Sequence, residues 1–340
     1  DDLRQLDWAA VSQAVRAVSL ADLAIALLLT AVSYYAMAMY DGVALRILGY
    51  RLRGRLSLRA GFAATSLGQT LGFGVLVGTA VRWRFYRGTG ISATTSGLVT
   101  GVVSTGFFIA LILLVSACIA FGSFDFSEMT GLSPAMLQTA ALAILAGGAL
   151  LFAIAYLQPR IRLAGRTLPL PRFQPLVRIS ALAVLDIVPA AAALWMLLPA
   201  DVAPTFTQLL PIYAVALGLA LVSNTPGGLG VLEFACLLAW PLAPAESIIA
   251  ALILYRVVYY GAPFLLGLAF LADHESRRKG KGQSRAVWQH GAEESDAALL
   301  SKAHRAEANL IQQGDKRVAG IAVHQARLPT GGPEKALVSL

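Results

Sequence analysis

The stretch from Ser247 to Leu271, SIIAALILYRVVYYGAPFLLGLAFL, holds one charged residue, Arg256, in 25 positions. About 20 mostly apolar residues carry an α-helix across a bilayer, so this segment spans and takes an arginine with it. Five more stretches have the same character: 18–40, 91–122, 135–157, 178–199 and 207–224. Residues 60–81 and 229–242 are more polar or shorter versions. Of the 340 residues, 57% are hydrophobic and only 14% charged, whereas water-soluble domains carry about 25% charge. The expected fold is all-α, a polytopic membrane helix bundle with about seven crossings and, as the basic loops show below, a re-entrant glycine-rich hairpin.

The same composition narrows the chemistry. Cys118 and Cys236 both sit in apolar stretches, which removes a disulfide framework and zinc-ligand spacing. All four histidines, His274, His290, His304 and His324, follow the last apolar segment, so no intramembrane histidine relay is expected. Nothing in the pattern calls for a cofactor or a metal. Carboxylates, arginines, tyrosines and broken backbone are left to do the work.

Arginine and lysine mark cytoplasmic loops. They gather at Arg46, Arg51, Arg53, Arg55 and Arg59, at Arg82, Arg84 and Arg87, at Arg160, Arg162, Arg166 and Arg172, and at Arg277, Arg278, Lys279 and Lys281. Loops near Asp125 and Glu128, at Asp201 and at Glu246 have none, which assigns them to the outside. The first two basic clusters flank residues 60–81 and cannot both be cytoplasmic if that segment crosses once. Its Gly61, Gly68, Gly72, Gly74 and Gly78, interleaved with Thr65, Ser66, Gln69, Thr70 and Thr79, suit broken backbone buried in protein. The segment therefore reads as a hairpin entering and leaving on the cytoplasmic side, with a plain helix packed through small residues as the alternative. The other segments then alternate from an outside start to a cytoplasmic tail. The chain opens on Asp1, which is expected to follow a missing upstream span; residues 3–18 have the spacing of a short surface helix.

Asp186, Glu233 and Arg256 are ionisable residues inside apolar stretches. A charge at the bilayer centre costs a few kcal/mol, about 3, unless it meets a partner or water. Arg256 is therefore expected to turn inward toward Asp186 or Glu233, with Tyr259 and Tyr260 on the same helical face extending a polar path. Such a set is either a buried pair that fixes packing or the wall of a functional cavity. Between two apolar stretches lies Ser223-Asn224-Thr225-Pro226-Gly227-Gly228-Leu229-Gly230-Val231-Leu232-Glu233. Pro226, Gly227, Gly228 and Gly230 break the helix, and a half-helix N-terminus there would offer backbone N–H groups to an anion. The glycine spacing fits neither a dinucleotide nor a P-loop fingerprint. Arg82, Trp83, Arg84, Tyr86 and Arg87, where the glycine-rich segment emerges, form an aromatic and basic cluster suited to anionic headgroups.

Taken together, four motifs resemble the transmembrane region of the bacterial lysylphosphatidylglycerol synthetase and flippase family, the multiple peptide resistance factors. They are Tyr40-Asp41 with Ala44-Leu45-Arg46, the run Leu71-Gly72-Phe73 through Gly78-Thr79-Ala80-Val81-Arg82-Trp83-Arg84-Phe85-Tyr86, the Pro226 to Glu233 stretch, and Leu254-Tyr255-Arg256-Val257-Val258-Tyr259-Tyr260. The likeness covers residues 1–271. It implies a lipid flippase of the bacterial inner membrane that moves aminoacylated phosphatidylglycerol to the outer leaflet and so protects against cationic antimicrobial peptides. The implied partner is the phospholipid headgroup; no nucleic acid is expected for this chain, and self-association is left open. Asp41, Arg82, Arg84, Asp186, Pro226, Gly227, Gly228, Gly230, Glu233, Arg256, Tyr259 and Tyr260 are the lipid-pathway candidates. Two other readings are an accessory subunit for a separate lipid- or glycan-modifying enzyme and the membrane part of a bifunctional aminoacyltransferase.

The family pattern also divides the chain. Residues 1–17 form an interfacial lead-in and 18–271 the transmembrane domain. Residues 272–340 form a cytoplasmic tail, expected to be mostly disordered from its low hydrophobicity and mixed charge. Glu307-Ala308-Asn309-Leu310 and Gly314-Asp315-Lys316-Arg317 look like the lead-in to the synthetase domain, after which the likeness stops. The chain is expected to be a truncated member without the catalytic domain, and so without enzymatic activity of its own.

Overall fold

The computed structural model describes residues 12–13, 15–16, 18–122, 124–157, 160–163, 166–169, 173–199, 203–240 and 244–278. Most of the 1–17 lead-in and the tail beyond residue 278, including the synthetase-like stretch, lie outside the described residues. The described residues up to Ala272 belong to the first of two compact units, Asp1–Ala272, and the last turns of the final helix, 273–278, to the second.

Helix α1, Leu20–Ile47, is followed by α2, Gly54–Leu71, α3, Gly74–Tyr86, and α4, Ala93–Ala120. After these come α5, Pro134–Leu157, α6, Phe173–Leu197, α7, Phe206–Ser223, α8, Val231–Ala239, and α9, Ala245–Arg278. Six of them, α1, α4, α5, α6, α7 and α9, are long and apolar enough to cross a membrane, and α8 belongs to a shorter apolar helix. The bundle is therefore the all-α polytopic one that hydropathy indicates. At 28 residues, α1 and α4 each extend about 42 Å. Their starts are set by serines: Ser19 and Ser92 accept hydrogen bonds from the backbone N–H of Asp22 and Thr95, both at 3.1 Å.

One addition is a small β-ribbon in the basic connection after α5. Strands β1, Arg160–Leu163, and β2, Arg166–Pro169, pair antiparallel with Arg160 opposite Pro169 and Leu163 opposite Arg166. The alternation Arg-Ile-Arg-Leu has the two-residue period that strands require.

At the centre, α1 packs along α6. Ala26 and Ala36 on α1 and Ala183, Ala190, Ala191 and Ala193 on α6 are fully buried. With no hydrophobic drive between helices in lipid, close approach through small side chains supplies the packing attraction.

Two helical hairpins interrupt this frame. In the first, α2 and α3 run antiparallel, Gly68 against Gly74 and Ala64 against Gly78, so the glycine-rich segment starts and finishes at the same basic end. It spans 54–86, longer than the 60–81 that hydropathy outlines. The turn is Gly72, φ 76°, and Phe73, φ 52°, where only glycine enters the left-handed region without cost. The second hairpin is α7 and α8, joined by Asn224 to Gly230. It begins at the opposite end of the bundle, where Phe206 packs on Trp195 at the end of α6. The two turns meet: a Cβ on Gly72 would sit 2.9 Å from the Asn224 carbonyl oxygen and 3.3 Å from Pro226 Cγ. Gln69, three residues before Gly72, reaches the Tyr34 hydroxyl and Met37 sulfur in the middle of α1. The turns therefore touch near mid-depth, not at a surface.

Candidate functional site: two arginine clamps and a cavity

Asp41 lies inside α1, because the first crossing helix continues past residue 40 to Ile47. Its carboxylate is fully enclosed and accepts from Arg82 Nε at 3.0 Å to each oxygen, from Arg82 Nη2 at 2.8 Å and from the Tyr86 hydroxyl at 2.6 Å. The remaining Arg82 nitrogen, Nη1, donates to Thr100 Oγ1 at 3.1 Å. Gly61 makes room, since a Cβ there would lie 3.1 Å from the carboxylate and 2.7 Å from the Ala38 carbonyl. Buried ions persist when each is paired and its other lone pairs and protons are bonded, and this pair meets that condition. Arg82 and Tyr86 are four residues apart on α3, hence on one face. Trp83, Arg84 and Arg87 point the other way and are exposed, with Arg87 5.8 Å from the centre of the Trp83 ring. The aromatic and basic cluster is thus two faces: Arg82 is a clamp from the first hairpin to α1, and Arg84 stays apart from it.

The second clamp closes the second hairpin. Arg256 donates from Nη1 to the Gly227 carbonyl at 3.0 Å and from Nη2 to Glu233. Of the two acids available to it, Arg256 thus takes Glu233. Glu233's other oxygen accepts the Gly230 N–H at 3.0 Å. The helix N-terminus opened by Pro226, Gly227, Gly228 and Gly230 is therefore occupied by the protein's own carboxylate, which caps α8. Positive φ at Asn224, Gly227, Gly228 and Gly230 turns the chain back within seven residues. On the α9 side, residues Arg256–Gly261 form a π-helical turn. Such turns shift which face successive side chains present: Arg256 goes to the broken loop and Tyr259 to α1.

Between these clamps stands a third acid. Asp186, on α6, accepts from Ser33 Oγ at 2.9 Å, and Ser33 lies 2.7 Å from the Tyr259 hydroxyl. Tyr255 bonds Tyr213 at 2.8 Å and stacks on Tyr259, against whose edge Tyr260 packs. A cavity of about 140 Å³ opens between α1, the first hairpin, α4 and the Asn224 turn. Its wall includes Tyr40, Gln69, Arg82, Thr100, Asp186 and Asn224. The structure thus brings Arg82 and Asp186 to one cavity, sets Asp41 behind it, and places Glu233 and Arg256 at the adjoining turn. Ser33 and Thr100 lie outside the motifs, and Tyr40 and Gln69, though they stand in motif or glycine-rich stretches, are not among the pathway candidates read from sequence. Ser33, Met37 and Tyr40 at spacings of four and three mark one face of α1, which is the signal that could find them.

The model of the lysylphosphatidylglycerol synthase transmembrane region matches residues 2–267. The chain belongs to this family. The match takes in both clamps, the cavity and the two hairpin turns. Two relatives are each 27% identical: the uncharacterized protein slr0712 of Synechocystis, over 292 residues covering 83% of this chain and 90% of that protein, and the inner membrane protein YbhN of Escherichia coli, over 285 residues covering 81% and 87%. The family resemblance drawn from the four motifs therefore holds for the membrane region, which in this family is a multi-pass bundle.

Proposed function

We propose that this chain translocates aminoacylated phosphatidylglycerol, lysyl or similar, from the inner to the outer leaflet of a bacterial inner membrane, and so contributes to resistance to cationic antimicrobial peptides. One observation carries the reading: two hairpins from opposite ends meet at Gly72 and Asn224 to Pro226, beside a cavity lined in part by Arg82 and Asp186, at mid-depth. A continuous apolar bundle would block a charged headgroup, whereas two abutting turns can separate and let it pass while acyl chains stay in lipid. Irregular backbone is tolerated at that depth only when buried in protein or lining a cavity. The basic ends of α1, α3, α5 and α9 face the cytoplasm in this reading, so the first hairpin stands on the side where the lipid is made. No covalent step is required of the chain.

Leaflet-resolved labelling of aminoacylated lipid tests the proposal, in cells where a separate enzyme supplies that lipid. Arg256→Ala is expected to lower the outer-leaflet fraction severalfold without changing the total. An unchanged outer-leaflet fraction would favour an accessory subunit. New aminoacyl lipid made by this chain alone would instead restore the transferase reading.

A further inference from the structure

Counting charges at mid-depth leaves one unbalanced. Asp41 is matched by Arg82 and Glu233 by Arg256. Asp186, 3% exposed, has only hydroxyl partners: Ser33 at 2.9 Å, itself bonded to Tyr259. Among the described residues no lysine or arginine is in ion-pair contact with it. Arg82, the cation on the wall of the same cavity, spends its donors on Asp41 and Thr100. A second polar group there is also unmatched. The Tyr40 hydroxyl, on a residue 2% exposed, has no hydrogen-bond partner and belongs to that wall.

An isolated buried carboxylate is far too costly to persist as an ion, and in practice such a group is neutralised. We propose that Asp186 is an exchangeable proton site, reached through the cavity that Tyr40 lines. Taking up a proton turns the carboxylate into a carboxylic acid, with no other bond made or broken, and losing it reverses the change. The surroundings fit a proton better than a fixed counter-ion. From α1, Ser33 bonds the acid and in turn Tyr259 of α9; Tyr34 and Tyr40 of α1, Tyr213 of α7 and Tyr260 of α9 lie near enough to feel its charge. All carry hydroxyls, which can donate or accept as the acid changes state. Gln69 on α2 adds an amide. A water needs about 15 Å³ and polar partners; the 140 Å³ cavity has that room and, on a mostly apolar wall, offers Tyr40, Gln69, Thr100 and Asn224 as a route for a water-borne proton.

The site itself is independent of the transport reading. Its consequence rests on that reading: protonation at Asp186 gates headgroup passage, and a transmembrane pH gradient drives it.

The test uses the full chain in vesicles of phosphatidylethanolamine and phosphatidylglycerol. Infrared spectra at neutral pH are expected to show a protonated-carboxyl C=O band that shifts in D₂O, is lost in Asp186→Asn and returns at a displaced frequency in Asp186→Glu. Superimposable wild-type and Asp186→Asn spectra in that region would overturn the proton site, whatever the transport result. For the coupling, each unit of imposed pH gradient is worth up to a factor of about ten in the leaflet distribution of the lipid. Wild type is expected to respond and Asp186→Asn not to. A gradient response equal in both would overturn the coupling, while loss of translocation in wild type itself would refute only the transport reading.

Discussion

The two hairpins solve the same problem with opposite finishes. Each is tied to a neighbouring long helix by one arginine–carboxylate pair, α3 to α1 through Arg82 and Asp41, and the second hairpin to α9 through Arg256 and Glu233. The first pair is sealed, with side chains 4% and 0% exposed; the second is open, at 19% and 26%. In the first, each Arg82 nitrogen and each Asp41 oxygen has a partner, with Thr100 and Tyr86 completing the set. The second is shared with backbone of the broken loop, at Gly227 and Gly230. Such an arrangement suits a fixed hairpin against which a second one moves.

The largest test of that contrast is at the sealed clamp. Arg82→Ala or Asp41→Ala strands a buried charge and is expected to cost about 3–5 kcal/mol of stability, read by denaturant unfolding of the purified protein. Arg82→Met combined with Asp41→Leu should recover most of it. Equal losses in single and double variants would show that the pair clamps nothing. Next in size is the contact between turns. Gly72→Ala forces a left-handed residue against the Asn224 carbonyl and should cost about 1–3 kcal/mol, whereas Gly88→Ala, with open space around it, should be neutral. The smallest stability effect belongs to the open clamp. Arg256→Ala is expected to lose about 1–2 kcal/mol, since Glu233 is left partly exposed and keeps the Gly230 N–H, although translocation falls severalfold. A loss as large as that at Arg82 would erase the distinction between the hairpins.

Sequence reading reached the long helices, because length and apolarity alone decide whether a segment can span. It also reached the first hairpin, through a conflict: two basic clusters flanking one glycine-rich segment. What it missed depends on rotation and distance. Arg82 sits among residues typical of a membrane boundary, and only the antiparallel return of α3 along α2 turns it onto Asp41, 41 positions earlier. Arg256 had two acids in prospect, and its π-turn, with no sequence mark, separates it from Tyr259. The helix break at Pro226 to Gly230 was plain from its residues, but its role as an anion site was not, since Glu233 fills it from within. Ser33 carries no motif, and Tyr40 stands beside Asp41 in one with no mark of its own; only the packing of the first hairpin with α1 and α4 puts Tyr40 on a cavity wall.

Locking the two turns together tests the central claim most directly. In a chain whose Cys118 and Cys236 are replaced by serine, Val75→Cys and Leu221→Cys place one thiol on each hairpin where both line the cavity beside the abutting turns, for joining by a thiol-reactive cross-linker. The account predicts that cross-linking stops the transfer of aminoacylated lipid to the outer leaflet, while either single cysteine treated alike keeps it. Undiminished transfer by the cross-linked protein would contradict the account, because the headgroup would then have crossed without the hairpins parting.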